Sequence, residues 1–212
     1  MTMIRTVLRS VGLAATLALG VSPACAETIV DEWATVKAPP APALKEAVID
    51  PKTTALLMLD FVQQTCNAQR RPRCTASVPR VAGLLNDARA KGVLVVHSVA
   101  PGATASGILP DLAPREGEPL VTSGPDKFLG TDLERILADK GIRTVIVVGT
   151  AAHGAVLHTA SAAALRGLGV VAPVDGMSAE TAYPEQYTAW HLANAPRIGD
   201  RVTLTSIDRV RY

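Results

Sequence analysis

Past residue 26 the sequence lacks any apolar run of the roughly 20 residues needed to cross a bilayer, which removes a membrane-embedded body from consideration. It also lacks a dominant charge. The 21 basic residues include Arg5 and Arg9 of the first 26, and without those two, 19 remain against 19 acidic residues. A neutral chain with no basic stripe has no electrostatic reason to bind nucleic acid or an anionic membrane, and neither partner is expected. Internal repeats are absent, which sets aside solenoids and propellers. Glycine-rich phosphate loops are absent too: Gly149-Thr150-Ala151-Ala152-His153-Gly154 has neither the lysine of a P-loop nor the three-glycine dinucleotide spacing, and no cofactor is expected.

The amino end carries the marks of an export signal. Arg5 and Arg9 precede an apolar run from Val11 to Val21, and Ala24-Cys25-Ala26 is a small-residue cleavage site before Glu27. The run is too short for a membrane anchor and is broken by Pro23. Residues 1–26 are therefore read as a secretory signal, and a periplasmic or secreted location is expected. Of the three cysteines, only Cys66 and Cys74 follow this segment, and an oxidising destination favours a disulfide between them. Metal ligation or nucleophilic use of either would need histidine partners, and the segment between them has none.

Residues 27–51, rich in proline and alanine, read as a surface arm, and residues 52–212 as one domain. In that domain strand-length apolar runs alternate with segments of helical period. The strands are expected at Ala55–Leu59, Val93–Val96, Pro119–Val121, Thr144–Val148, Val170–Val174 and Val202–Thr205. Helices are expected at Val78–Lys91, Thr131–Lys140, Ala155–Leu168 and Tyr187–Ala195. Near-continuous apolar strands are covered on both faces. The expected fold is α/β: a three-layer α/β/α sandwich with a mostly parallel sheet of about six strands, its ligand crevice at the carboxyl ends.

Asp60 follows the first apolar strand and would stand in that crevice, where desolvation disfavours the charged form of a carboxyl group and suits it to general acid–base work. An aspartate that merely forms a turn is an equal alternative. His153 and Ala155 lie where a strand gives way to a helix, and backbone N–H groups at such a start can hold an anion or a carbonyl oxygen. Simple tight packing of helix on sheet would use the same small residues.

Four ordered pieces, Asp60-Phe61-Val62, Phe128-Leu129-Gly130-Thr131-Asp132-Leu133, the Gly149 turn and Val174-Asp175-Gly176-Met177-Ser178, resemble the isochorismatase-like hydrolases over most of residues 54–205. The resemblance implies a parallel-sheet sandwich and a site of Asp, Lys and usually Cys. Asp60 matches the family aspartate. The family lysine falls on the stretch Thr122-Ser123-Gly124-Pro125, leaving Lys127 to supply an ammonium from a shifted position or to sit solvated on a loop. The cysteine position falls on Ala155, so covalent catalysis is closed to this chain. Isochorismatases also lack that cysteine, share the Ala152-His153 pair, and cleave a vinyl ether by protonating the substrate. Metal-binding members carry an aspartate with two closely spaced histidines. Here His97 has no such companion, and no metal is expected.

The resemblance thus implies an exported hydrolase of a small organic molecule, with Asp60 and Lys127 catalytic and Phe61, Thr150, Ala151, His153, Gly154 and Ala155 binding substrate. A pseudoenzyme that keeps the crevice to bind a ligand or protein partner is the alternative. Self-association into a homo-oligomer is left open, and His97, His158 and His191 are read as structural.

Overall fold

The computed structural model describes residues 28–212, and the signal expected over residues 1–26 lies outside them. In chain order the elements are α1 (Ile29–Glu32), β1 (Ala47–Val48), β2 (Thr54–Leu59), α2 (Pro72–Ala90), β3 (Leu94–Val99), β4 (Leu120–Thr122), α3 (Leu133–Asp139), β5 (Thr144–Thr150), α4 (Leu157–Leu165), β6 (Gly169–Pro173), β7 (Met177–Ser178), α5 (Ala182–Asn194), β8 (Val202–Thr205) and β9 (Val210–Arg211). The chain divides into two units at Pro39/Pro40. In the first, α1 is capped by Thr28, whose N–H and Oγ1 both donate to Asp31 and hold the Asp31 carboxyl below the usual range.

The second unit begins at Pro40, within the residues 27–51 expected as a surface arm; there β1 pairs in parallel with β9, and Ala47 of β1 and the following Ile49 are buried. The main sheet runs β4-β3-β2-β5-β6-β8, all parallel, and β7 adds to the end of β5 as a seventh strand. The chain winds from β2 outward through β3 and β4, then returns to β5 and winds outward through β6 and β8. The strand order reverses between β2 and β5, and in such sheets that reversal opens a crevice outside the carboxyl ends.

Alternation along the strands divides the apolar side chains between the two faces. Ala55, Leu57, Leu59, Val145 and Val147 pack with α3 and α4, while Leu56, Met58, Ile146 and Val148 pack with Val81, Leu84, Leu85 and Ala88 of α2. All six residues of β2 are buried, as a central strand covered on both faces requires. The close pairing of β2 with β5 depends on Gly149 opposite Leu59, since a Cβ there would lie 2.5 Å from the Leu59 carbonyl oxygen.

Two helices start earlier than their apolar periodicity indicates. α2 begins at Pro72 instead of near Val78, because a proline is readily accepted in the first turn, where its missing N–H has no partner to lose. α5 begins at Ala182 instead of Tyr187. Helix α4 is shorter than expected: residues Ala152–Val156 form a π-helical turn that leads into it.

At the amino ends of the strands lies a buried polar cluster. Arg89 donates to both oxygens of Glu118, at 2.7 and 2.8 Å, and the Arg115 N–H and the His97 ring reach Oε2 at 2.8 and 2.9 Å. Burial pushes the His97 ring below its usual value, favouring the neutral form. Burial alone would raise the Glu118 carboxyl, but Arg89, the Arg115 N–H and His97 outweigh it and hold Glu118 at about 2. Both groups bind protons more readily in the unfolded chain. Their contribution is therefore complete above the ordinary values of 6.5 and 4.5 and is lost as pH falls through the depressed folded values. The denaturant midpoint should accordingly fall as pH is lowered from 7 toward 3. Glu118→Gln should cost about 2 kcal/mol at pH 7 and flatten the acid limb, as read from urea titrations across pH.

Candidate active site

The strand β2 ends at Leu59, and Asp60 follows in the left-handed region at φ 55°. Aspartate tolerates that conformation better than most side chains. Strict alternation would send residue 60 toward α2 and residue 61 toward α3 and α4. The left-handed residue inverts this order. The Asp60 carboxylate instead meets groups on the α3/α4 side, and Phe61, expected to bind substrate, is 2 % exposed in the apolar layer beneath α2.

Lys127 is 0 % exposed, and its ammonium donates to Asp60 Oδ2 at 2.7 Å and to the Ser123 carbonyl at 3.0 Å. Ser98, at the end of β3, donates its hydroxyl to the other oxygen, Asp60 Oδ1, at 2.8 Å. The Asp60 side chain is 12 % exposed and that of Lys127 is 0 % exposed, so the aspartate is the member of the pair nearer to solvent. Thr122, at the stretch the family lysine occupies, lies on β4 and is exposed.

On the neighbouring strand, Thr150 ends β5 and joins Ala151 through a cis peptide bond. The Ala151 carbonyl accepts from the Gly154 and Val156 N–H groups, fixing the π-helical turn. The first N–H groups of such a turn, those of Ala152 and His153, have no intrahelical acceptor and are free for an oxygen. Ala155 is 4 % exposed and offers only a methyl group, while the His153 side chain is exposed. Thr150 is 1 % exposed and its hydroxyl is engaged by protein: it accepts from Arg71 Nη1 at 3.3 Å and donates to the Ser178 carbonyl at 3.2 Å. Its side chain thus ties the start of the turn to Arg71 and to the Ser178 carbonyl.

Three further residues complete the site and had not been singled out from the sequence. Ser98 is hidden inside a strand that reads as apolar. Thr159, on α4, accepts the Lys127 backbone N–H at 3.2 Å and donates to the Pro125 carbonyl at 3.2 Å. Arg71, in the polar stretch between the cysteines, is buried and donates to Glu180 Oε1 at 2.7 Å. Cys66 and Cys74 form the expected disulfide, with Cα atoms 5.3 Å apart. Burial alone would raise the Glu180 carboxyl, but the Arg71 guanidinium more than offsets this and lowers it.

Residues 54–205 match the isochorismatase domain model, and the chain belongs to the isochorismatase family. It is 35 % identical over 113 residues to the secreted isochorismatase effector Isc1 of Verticillium dahliae, a match covering 48 % of this chain and 60 % of that protein. The fold is shared with an isochorismatase family protein from Desulfovibrio vulgaris, at TM-score 0.67 and 22 % identity over 74 % of this chain and 95 % of that one. It is shared also with N-carbamoylsarcosine amidase from Thermoplasma acidophilum, at TM-score 0.63 and 22 % identity over 74 % and 97 % of the two chains.

A buried lysine that loses its carboxylate is left as an uncompensated charge. Asp60→Asn and Lys127→Met should each cost about 3 kcal/mol or more, and the double variant less than the sum. Urea denaturation of the four proteins measures the coupling, and additive losses would show that the two groups do not form a pair in solution.

Proposed function

We propose that this chain is an exported hydrolase of the isochorismatase type that acts on a small organic molecule through Asp60, without a cysteine nucleophile. The observation that carries the reading is the 2.7 Å contact between Lys127 Nζ and Asp60 Oδ2 at the carboxyl ends of the strands, with the lysine fully buried and the aspartate side chain 12 % exposed. A carboxyl group held by one ammonium and one hydroxyl, on separate oxygens, is fixed in orientation before substrate arrives. Asp60 takes a proton from the attacking water and passes it to the leaving oxygen of the substrate as its bond breaks, ending as the carboxylate that Lys127 and Ser98 hold. The Ala152 and His153 N–H groups receive a substrate oxygen, and the exposed His153 ring lies at the edge of the same turn.

Ala155 favours chemistry that begins with proton transfer over attack on an amide, because a methyl group forms no acyl-enzyme. The secreted character of the Verticillium relative and the Cys66–Cys74 disulfide support export, with residues 1–26 as the removed signal and the fold beyond residue 40 as the exported domain. A second reading, a ligand-binding pseudoenzyme, is favoured by that same Ala155 and by Thr122 at the usual lysine stretch.

A hydrolase screen with wild type and Asp60→Asn separates the two. General acid–base catalysis requires the variant to lose roughly 10²- to 10⁴-fold in turnover while binding ligand. A folded variant with near-full turnover would remove Asp60 from the mechanism, and no turnover by wild type across the screen would favour the binding protein. Iodoacetamide should leave activity unchanged, since both cysteines of the domain are bridged. Stoichiometric inactivation would place a cysteine in the reaction.

A further inference from the structure

We propose that Arg71 is a positioning residue for the turn at residues 150–156, and that the Cys66–Cys74 disulfide holds it there, so that the geometry of the site depends on the bridge staying oxidised. The inference rests on reading that turn as part of the site. It begins from an oddity of burial: the Arg71 side chain is 10 % exposed, yet its carboxylate partner Glu180 is 43 % exposed. Withdrawing a guanidinium from water is costly, and a partner so open to solvent returns little. Stability does not account for the arrangement. Its second bond, from Nη1 to Thr150 Oγ1 at 3.3 Å, does, because Thr150 is the residue from which the turn departs.

The bridge encloses the short loop that carries Arg71. Within it Asn67 accepts from the Gln69 and Arg70 N–H groups and donates to the Gln63 carbonyl, and the Asn67 carbonyl accepts the Arg71 N–H. Just beyond, Arg73 binds both oxygens of Glu185, whose Oε1 also accepts the Ala179 N–H. Thr150 in turn donates to the Ser178 carbonyl. One covalently closed loop thus clasps both the start of the turn and the segment 178–185 beside it.

Reduction by a dithiol breaks the S–S bond; the dithiol becomes a disulfide, and its two protons pass to the Cys66 and Cys74 sulfurs. The freed loop regains backbone entropy, which competes directly with holding a long side chain on a single hydroxyl.

Hydrogen–deuterium exchange of the signal-free chain, read without substrate, tests this in the oxidised protein, after dithiothreitol, and in oxidised Arg71→Gln and Arg71→Lys. Exchange across residues 149–156 should quicken about tenfold after reduction and in Arg71→Gln, less in Arg71→Lys, with α3 unchanged. With any substrate from the screen, kcat/KM should fall roughly 10- to 100-fold in the same order, and the fall in Arg71→Gln should not be deepened by reduction. Unchanged exchange at 149–156 in Arg71→Gln would overturn the proposal, as would equal quickening of α3. Because exchange needs no substrate, a chain that turns over nothing would defeat the hydrolase reading and leave this one standing.

Discussion

An ammonium removed wholly from water must find compensation in the fold, and much of the carboxyl-end architecture is arranged around Lys127. The desolvation of such a group costs several kcal/mol, so its partners have to be placed before it arrives. The residues from Ser123 to Thr131 do this. Ser123 Oγ shares its one proton between the Asp126 and Leu129 carbonyls, Asp126 Oδ1 accepts the Phe128 N–H, and Thr131 Oγ1 donates to the Lys127 carbonyl. Thr159 receives the Lys127 N–H from the side of α4, and Arg166 covers the Phe128 ring at 4.5 Å. A segment with little regular structure thereby becomes a rigid socket, and its one remaining demand, an anion, is met by Asp60.

This dependence joins three elements that are remote in sequence. Asp60 comes from β2, Ser98 from β3 and Lys127 from the connection between β4 and α3, and they converge because parallel strands deliver their carboxyl ends to one edge. The opposite edge handles polarity differently. Glu118 there is held by the Arg89 guanidinium, the Arg115 N–H and the His97 ring, whereas Asp60 is held by one ammonium and one hydroxyl.

Most of the fold was legible in the sequence because buried parallel strands declare themselves as apolar runs, and β2, β5 and β8 fall where those runs lie. The two-residue strands β1, β7 and β9 did not show, since so short an element has no period. Asp60 was legible because it closes an apolar run. Lys127 was visible only as one of two alternatives, for sequence distance does not fix whether a lysine turns inward. Arg71 does not stand out because a polar stretch rich in arginine reads as solvated loop; its burial brings it to Glu180 and Thr150, neither of which is local in sequence. Phe61, part of the family-like Asp60-Phe61-Val62 piece, lies buried in the apolar layer under α2, a placement that its position in the sequence does not show.

The placement of Phe61 shows how the carboxylate is aimed. A strand continued through residue 60 would have turned the carboxylate toward the apolar layer under α2, away from Ser98 and Lys127. One residue at φ 55° reverses the alternation, placing Phe61 in that layer and the carboxylate against its two donors. The left-handed conformation costs on the order of 1 kcal/mol for a residue with a Cβ, less for aspartate, whose short polar side chain suits it. The ion pair and the burial of Phe61 both depend on the reversal and together exceed that cost. Glycine would accept the backbone but bring no carboxylate, and glutamate would bring a carboxylate on a longer stem with a poorer left-handed tendency. Aspartate meets both requirements at once, so the identity of residue 60 is constrained by the backbone as well as by the chemistry proposed for it.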